Sequence, residues 1–189
     1  MLSILMTIQS EYGVRKPVND SLILAIADGD MKAFHELYEA ASKSVYSFAL
    51  SITKNSQDAE DVLQETFLKV YHNSDSYVPL EKPMAWILTI TRNLALSALR
   101  EKSGIAEYDD NHNELIDFDS VADAENKILI ETIFRILKDD EKQILILHAV
   151  SGLKYREIAS VLDISTNTVL SKYHRAIKKL RNAIEEDNI

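Results

Sequence analysis

Residues 165–181, STNTVLSKYHRAIKKLR, carry Lys172, Arg175, Lys178, Lys179 and Arg181 and no acid, in a chain whose formal net charge is −9. On a helix this spacing returns Val169, Tyr173, Ala176 or Ile177, and Leu180 to a core. Ser171, Lys172, His174, Arg175 and Lys179 are left facing outward. Polar side chains near the start of such a helix suit base edges, and cations further along suit phosphates. The chemistry is non-covalent: hydrogen bonds and charge neutralisation on a duplex. The bland alternative is a solvated basic face on an ordinary helical bundle.

The preceding residues favour the duplex. YREIASVLDIS gives a first helix of two turns with Ile158, Ala159 and Leu162 on one side. Small Ala159 lets a second helix cross closely, Asp163 and Ile164 make the turn, and Ser165 is placed to cap the second helix. These are the proportions of a DNA-binding helix-turn-helix.

Reactive chemistry finds little support. The chain has no Cys, so disulfides, thiolate metal sites and a Cys nucleophile are excluded. It holds no Gly-rich phosphate loop, HExxH or nucleophile elbow. The five His (35, 72, 112, 148, 174) are scattered, and His35 with Glu39 is a single i,i+4 pair. The expectation is no catalytic residue, no metal and no cofactor: not an enzyme.

The elements that position the basic helix are read from apolar periodicity. Four Gly and three Pro in 189 residues, with 46% hydrophobic content, point to packed helices with few hairpin turns. Asp20 or Ser21 is expected to cap LILAIA, with Gly29 ending it. Asp30 caps a second run whose stripe is Phe34, Leu37, Tyr38, Ala41, Val45, Phe48 and Ala49. Asn55 and Ser56 lead into a third, with Ala59, Val62, Leu63, Thr66, Phe67 and Val70 inward and acids in its first turns. After the loop SDSYVPLEK, Pro83 opens a fourth helix. Its expected buried side is Trp86, Ile87, Ile90, Leu94 and Leu99. Residues 101–120 then lose the helical period.

Charge follows this organisation. Residues 101–126 hold nine acids against one Lys, while 154–182 hold seven basic residues against Glu157 and Asp163. The acidic mean therefore does not oppose nucleic-acid binding. The expected architecture is all-α: two small helical domains joined by a flexible acidic linker. The expected boundaries are an extension at 1–19, a front domain at 20–103, the linker at 104–120 and a rear domain at 121–189. MLSILM is too short for a signal h-region or a membrane span, and Met6 offers an alternative start. A cytoplasmic protein without membrane insertion is expected.

Two separated segments together resemble one family. DAEDVLQETFLKVY with PMAWILTITRNLALSALR is similar to region 2 of the bacterial sigma-70 family, in its extracytoplasmic-function (ECF) type. LKDDEKQILILHAVSGLKYREIASVLDISTNTVLSKYHRAIKKLR resembles region 4 of that type. The resemblance covers roughly 100 residues in matching order. It implies a sigma factor that joins core RNA polymerase through its largest subunits and directs transcription initiation from promoter DNA. By that resemblance, Asp58, Asp61, Gln64, Glu65 and Lys69 fall to core polymerase, against helix-start electrostatics as the plain alternative. Tyr77, Lys82, Arg92, Asn93 and Arg100 fall to the −10 element, whose melted bases can be captured after unstacking. Trp86 reads as core. Thr166, Asn167, Thr168, Leu170, Ser171, Lys172, His174, Arg175 and Lys179 fall to the −35 element.

Two departures from the family pattern stand out. The fourth helix ends in REKSGIAEYDD instead of a basic run, and Leu170 stands where Lys or Arg is usual. Leucine donates no hydrogen bond but can touch a thymine methyl or pack on a protein surface. Members of the type are commonly held by an anti-sigma factor, often at the membrane, so such a partner is also implied. The rival reading is a helix-turn-helix regulator that binds DNA without joining polymerase. It leaves the acidic third helix and the aromatic-and-amide fourth without a task.

Overall fold

The computed structural model describes residues 18–103 and 135–187, which fall in two compact units. Most of the 1–19 extension, the 104–120 linker and the start of the expected rear domain, residues 121–134, lie outside the described residues. Among the described residues there are helices and turns and no strand.

The front unit is a four-helix cluster: α1 (Asp20–Ala27), α2 (Met31–Thr53), α3 (Ser56–His72) and α4 (Pro83–Ser103). A 3-10 turn, Ser74–Ser76, follows α3. Helix α2 is central and packs against the other three. Its apolar period buries Leu37, Ala41, Val45, Phe48 and Ala49, as expected, and from Ser44 onward every residue to Thr53 is buried. The expected Tyr38 instead lies 41% exposed, its ring 4.8 Å from that of Phe67. Caps set the boundaries. Asp30 Oδ1 accepts from the amides of Lys32 and Ala33, and Asn55 Oδ1 accepts from that of Asp58. Gly29, at φ +88°, turns the chain between α1 and α2.

Two expectations are corrected. The N-cap of α1 is Asn19, whose Oδ1 accepts from the amide of Leu22, and Asp20 lies inside the helix. On α4 the buried side is Ile87, Leu88, Thr91 and Ala95, while Trp86, Ile90, Leu94 and Leu99 are half-buried. The segment WILTITRNLALSAL keeps only the side of Thr89, Asn93 and Ser97 polar, so its apolar residues spread over an arc wider than the face that is buried. Packing selects the side on which Thr91 and Ala95 join Ile87 and Leu88. Thr91 and Thr66 are fully buried, each hydroxyl donates to a carbonyl of its own helix, and their oxygens lie 3.4 Å apart. Their size lets α3 and α4 approach closely without leaving a buried polar group unsatisfied.

The rear unit comprises α5 (Asp139–Leu145), which continues into a π-helical turn (Ile146–Val150), then α6 (Tyr155–Leu162) and α7 (Thr166–Asp187). Periodicity gave no sign of the π turn. Ile144, Leu147, Ile158, Val169, Ala176 and Leu180 are fully buried within this unit. Gly152, at φ +72°, turns the chain toward α6.

Candidate nucleic-acid and partner interface

The helix-turn-helix is formed as its residues suggest. Asp163 adopts the left-handed conformation at φ 56° and ends α6, and the amide of Ile164 donates to the carbonyl of Ala159 at 3.0 Å. Ser165 Oγ accepts from the amide of Thr168 at 3.1 Å and pairs with its hydroxyl at 2.8 Å. The Thr168 side chain thus belongs to the cap. Val169, Tyr173, Ala176 and Leu180 form the buried stripe of α7. Burial pushes the Tyr173 hydroxyl up to about 12, helped by neighbouring Tyr155.

The outward face differs from the expected set. Asn167, Ser171, His174, Arg175 and Lys178 are exposed, while Thr166, Leu170, Lys172 and Lys179 are half-buried. Lys172 is bonded to Asp140 and Lys179 to Glu141, the latter at 2.6 Å. Both carboxylates come from the first turn of α5. Two cations expected on phosphates therefore bind carboxylates of their own unit. Burial alone would raise the Asp140 carboxyl, but the bond and charge of Lys172, with Arg175 nearby, hold it below its ordinary value. Glu141 is likewise raised by burial, and Lys179 and the Lys138 amide outweigh that and hold it down. Lys178, which was not among the expected contacts, sits seven residues beyond Ser171 on the same exposed face.

On α3, Asp61, Gln64, Glu65 and Lys69 are exposed. Asp58 lies on the same helix side, i+3 from Asp61 and i+7 from Glu65, but is half-buried. Its carboxylate accepts from Lys102 Nζ at 2.6 Å, tying the start of α3 to the end of α4. At the C-terminal end of the stripe lies Leu68, 51% exposed. It is i+7 from Asp61, i+4 from Gln64 and i+3 from Glu65, so the four form one stripe. A leucine amid acids breaks the polar pattern of the outer face, and that break is legible in the sequence.

The residues expected at the −10 element divide. Lys82 and Asn93 are exposed and Arg92 is half-buried. Arg100 is exposed but bonded within its own helix, to Leu96 O and Ser97 Oγ. Tyr77 is only 8% exposed, its ring 4.8 Å from Trp86 and its hydroxyl donating to Asp20 Oδ1 at 2.6 Å. Burial, with the Asp20 carboxylate as the next contribution, pushes its hydroxyl above the ordinary tyrosine range. Tyr77 anchors its loop and offers no free ring face like an open platform. Exposed Thr89 shares the outward side of α4 with Asn93. Among the described residues no cluster of His, Asp or Glu could hold a metal, and no helix is long and apolar enough to cross a membrane.

Comparison with known proteins agrees with this arrangement. The sigma-70 region 2 family model matches residues 37–105 and the sigma-70 region 4 model matches 127–180. The RNA polymerase sigma factor CarQ of Myxococcus xanthus is 28% identical over 84% of this chain and 93% of its own length. The ECF RNA polymerase sigma factor SigE of Mycolicibacterium smegmatis is 31% identical over 82% of this chain and 64% of its own length. Among solved structures, CnrH bound to the cytosolic domain of CnrY shares the fold with a TM-score of 0.62 and 23% identity, over 89% of this chain and 98% of that one. RpoE bound to the anti-sigma factor NepR, from Bartonella quintana, gives 0.61 and 22% over 82% and 98%. The chain belongs to the sigma-70 family as a sigma factor of the extracytoplasmic-function type, a non-enzymatic DNA-binding protein of promoter recognition and transcription initiation.

Proposed function

We propose that the two units divide promoter recognition between them on core RNA polymerase. The stripe of Asp61, Gln64, Leu68 and Glu65 on α3 docks on the polymerase. The loop after α3 and the outward side of α4 take melted −10 bases. The rear unit holds the −35 duplex through Asn167, Ser171, His174, Arg175 and Lys178. The observation that carries this reading is the outward face of α7: five exposed side chains that donate hydrogen bonds or positive charge, with no carboxylate among them. The work is placed in the cytoplasm, where promoter DNA lies. A partner of the anti-sigma kind is proposed as well, since one of the structural neighbours was solved with an anti-sigma factor.

The direct test is reconstitution. The purified full-length protein is expected to be retained by core RNA polymerase and to support run-off transcription from selected members of a randomised promoter library. Failure to bind core enzyme combined with tight binding to duplex alone would overturn the reading.

Leu170 provides a finer test at the −35 element. It is half-buried at the edge of the outward face, on the helix side shared with Thr166 and Ile177. Leu170→Arg supplies a forked donor able to take a guanine edge, for which a good bidentate pair discriminates by about 1–3 kcal/mol. Selection from the same library with this variant is expected to enrich guanine at one −35 position about ten-fold or more. An unchanged −35 consensus would place Leu170 outside base contact.

A further inference from the structure

The loop between the 3-10 turn and α4 is held by a residue that lies outside it. Asp20, on the first turn of α1, uses both carboxylate oxygens. Oδ1 accepts from the Tyr77 hydroxyl at 2.6 Å and Oδ2 accepts from the Glu81 amide at 2.9 Å. These contacts cross 57 and 61 residues of sequence. Tyr77 is fixed further by its ring contact with Trp86. Between the two anchored residues stand Val78, 64% exposed, Pro79, and Leu80, 68% exposed. Glu81 takes φ +57°, a conformation that residues other than glycine adopt at a cost. The bond from its amide to Asp20 favours that geometry. The loop thus displays two apolar side chains from a frame held by the Asp20 carboxylate and the ring contact of Tyr77 with Trp86.

We infer that Asp20 is a positioning residue for −10 recognition: it clamps residues 77–81 so that Val78 and Leu80 are presented to unstacked bases. The inference rests on the reading that this loop meets the −10 element. Ordering a loop before binding removes a conformational cost that the DNA contacts would otherwise bear. Val78 and Leu80 can contact base faces and thymine methyls, which apolar side chains favour. Asp20 itself does not touch DNA, and its effect is transmitted by Tyr77 and Glu81.

The test uses holoenzyme made from core polymerase and the full-length protein. Asp20→Ala removes both anchors, Tyr77→Phe removes one, and Asp20→Glu retains the carboxylate. Loss of hydrogen bonds to a charged acceptor is expected to lower open-complex formation, read by permanganate reactivity of melted thymines, about ten-fold in Asp20→Ala. Tyr77→Phe is expected to give a smaller loss and Asp20→Glu a partial recovery. The −10 preference should broaden in Asp20→Ala, while core binding and the −35 preference stay unchanged. That base-selective readout separates clamping from simple loss of fold, which would also depress core binding. Wild-type opening and −10 preference in Asp20→Ala would overturn the clamp. The double variant Val78→Ser, Leu80→Ser tests the reading beneath it. If that variant keeps the native −10 preference, the loop is not the reader. If it alters the preference while Asp20→Ala does not, only the clamp fails.

Discussion

Leu68→Glu is expected to weaken retention of the full-length protein on core RNA polymerase by about a hundred-fold or more. Leu68 is half exposed and follows Asp61, Gln64 and Glu65 on one side of α3, with exposed Tyr71 on the next turn. An exposed leucine beside an exposed tyrosine on a charged helix gives a docking surface an apolar contact, and truncating a residue that becomes fully desolvated in an interface typically costs at least about 2 kcal/mol. Covering the exposed half of Leu68 contributes roughly 1 kcal/mol, while the glutamate would bring a charge to be desolvated and a third carboxylate to a face that already carries two. The surrounding charges should act differently. Asp61→Asn and Glu65→Gln are rim changes, expected to slow association and reduce its salt dependence while leaving dissociation nearly unchanged. Asp58→Asn serves as the internal comparison. That carboxylate is half-buried and already bonded to Lys102, so its loss should lower the stability of the front unit modestly and alter capture by polymerase less than Leu68→Glu does. Surface capture of each variant by immobilised core enzyme, beside a thermal melt, separates these outcomes. Full retention of Leu68→Glu would remove α3 from the docking surface.

What the sequence made legible follows from the range over which each signal acts. The stripe of α2 and the cap of α7 depend on neighbours within four residues, and they were readable because one face of each segment is polar. The buried side of α4 was displaced because its apolar arc is wider than the face that packs and the deciding fact is the opposing Thr66 of α3. Side-chain roles set across the fold were least visible. Tyr77 has the composition of a base platform, and only its distant partner Asp20 makes it an anchor. Lys172 and Lys179 have the spacing of phosphate contacts, yet their carboxylates lie 32 and 38 residues upstream. Asp139, Asp140 and Glu141 form an unremarkable acidic helix start in sequence. Nothing in their spacing relates them to α7.

That pairing yields a graded result at the −35 duplex. Arg175→Ala is expected to weaken binding and to make the salt slope shallower by about one, the change that follows loss of a phosphate contact. Arg175 is exposed, and its Nε bond to Ser171 O leaves other guanidinium donors for the duplex. Lys172→Ala should change the slope by much less, because Lys172 must leave Asp140 before it can serve a phosphate. Asp140→Asn then has the opposite sign. It releases Lys172, removes a negative charge beside Arg175, and is expected to tighten duplex binding with a slope steeper by up to about one. Glu141 does not offer the same gain. Its side chain is 4% exposed and holds both Lys179 and the Lys138 amide, so Glu141→Gln leaves Lys179 without its ionic partner and should destabilise the rear unit. The Glu141 carboxyl lies below its ordinary value in the fold, so its contribution is present at neutral pH and is lost as pH falls through and below the usual carboxylate range. Duplex titrations of the full-length chain across a salt series measure all three slopes. Equal slope losses for Arg175→Ala and Lys172→Ala, with no gain for Asp140→Asn, would show that the α5 carboxylates do not restrain the recognition helix and that both cations meet phosphate alike.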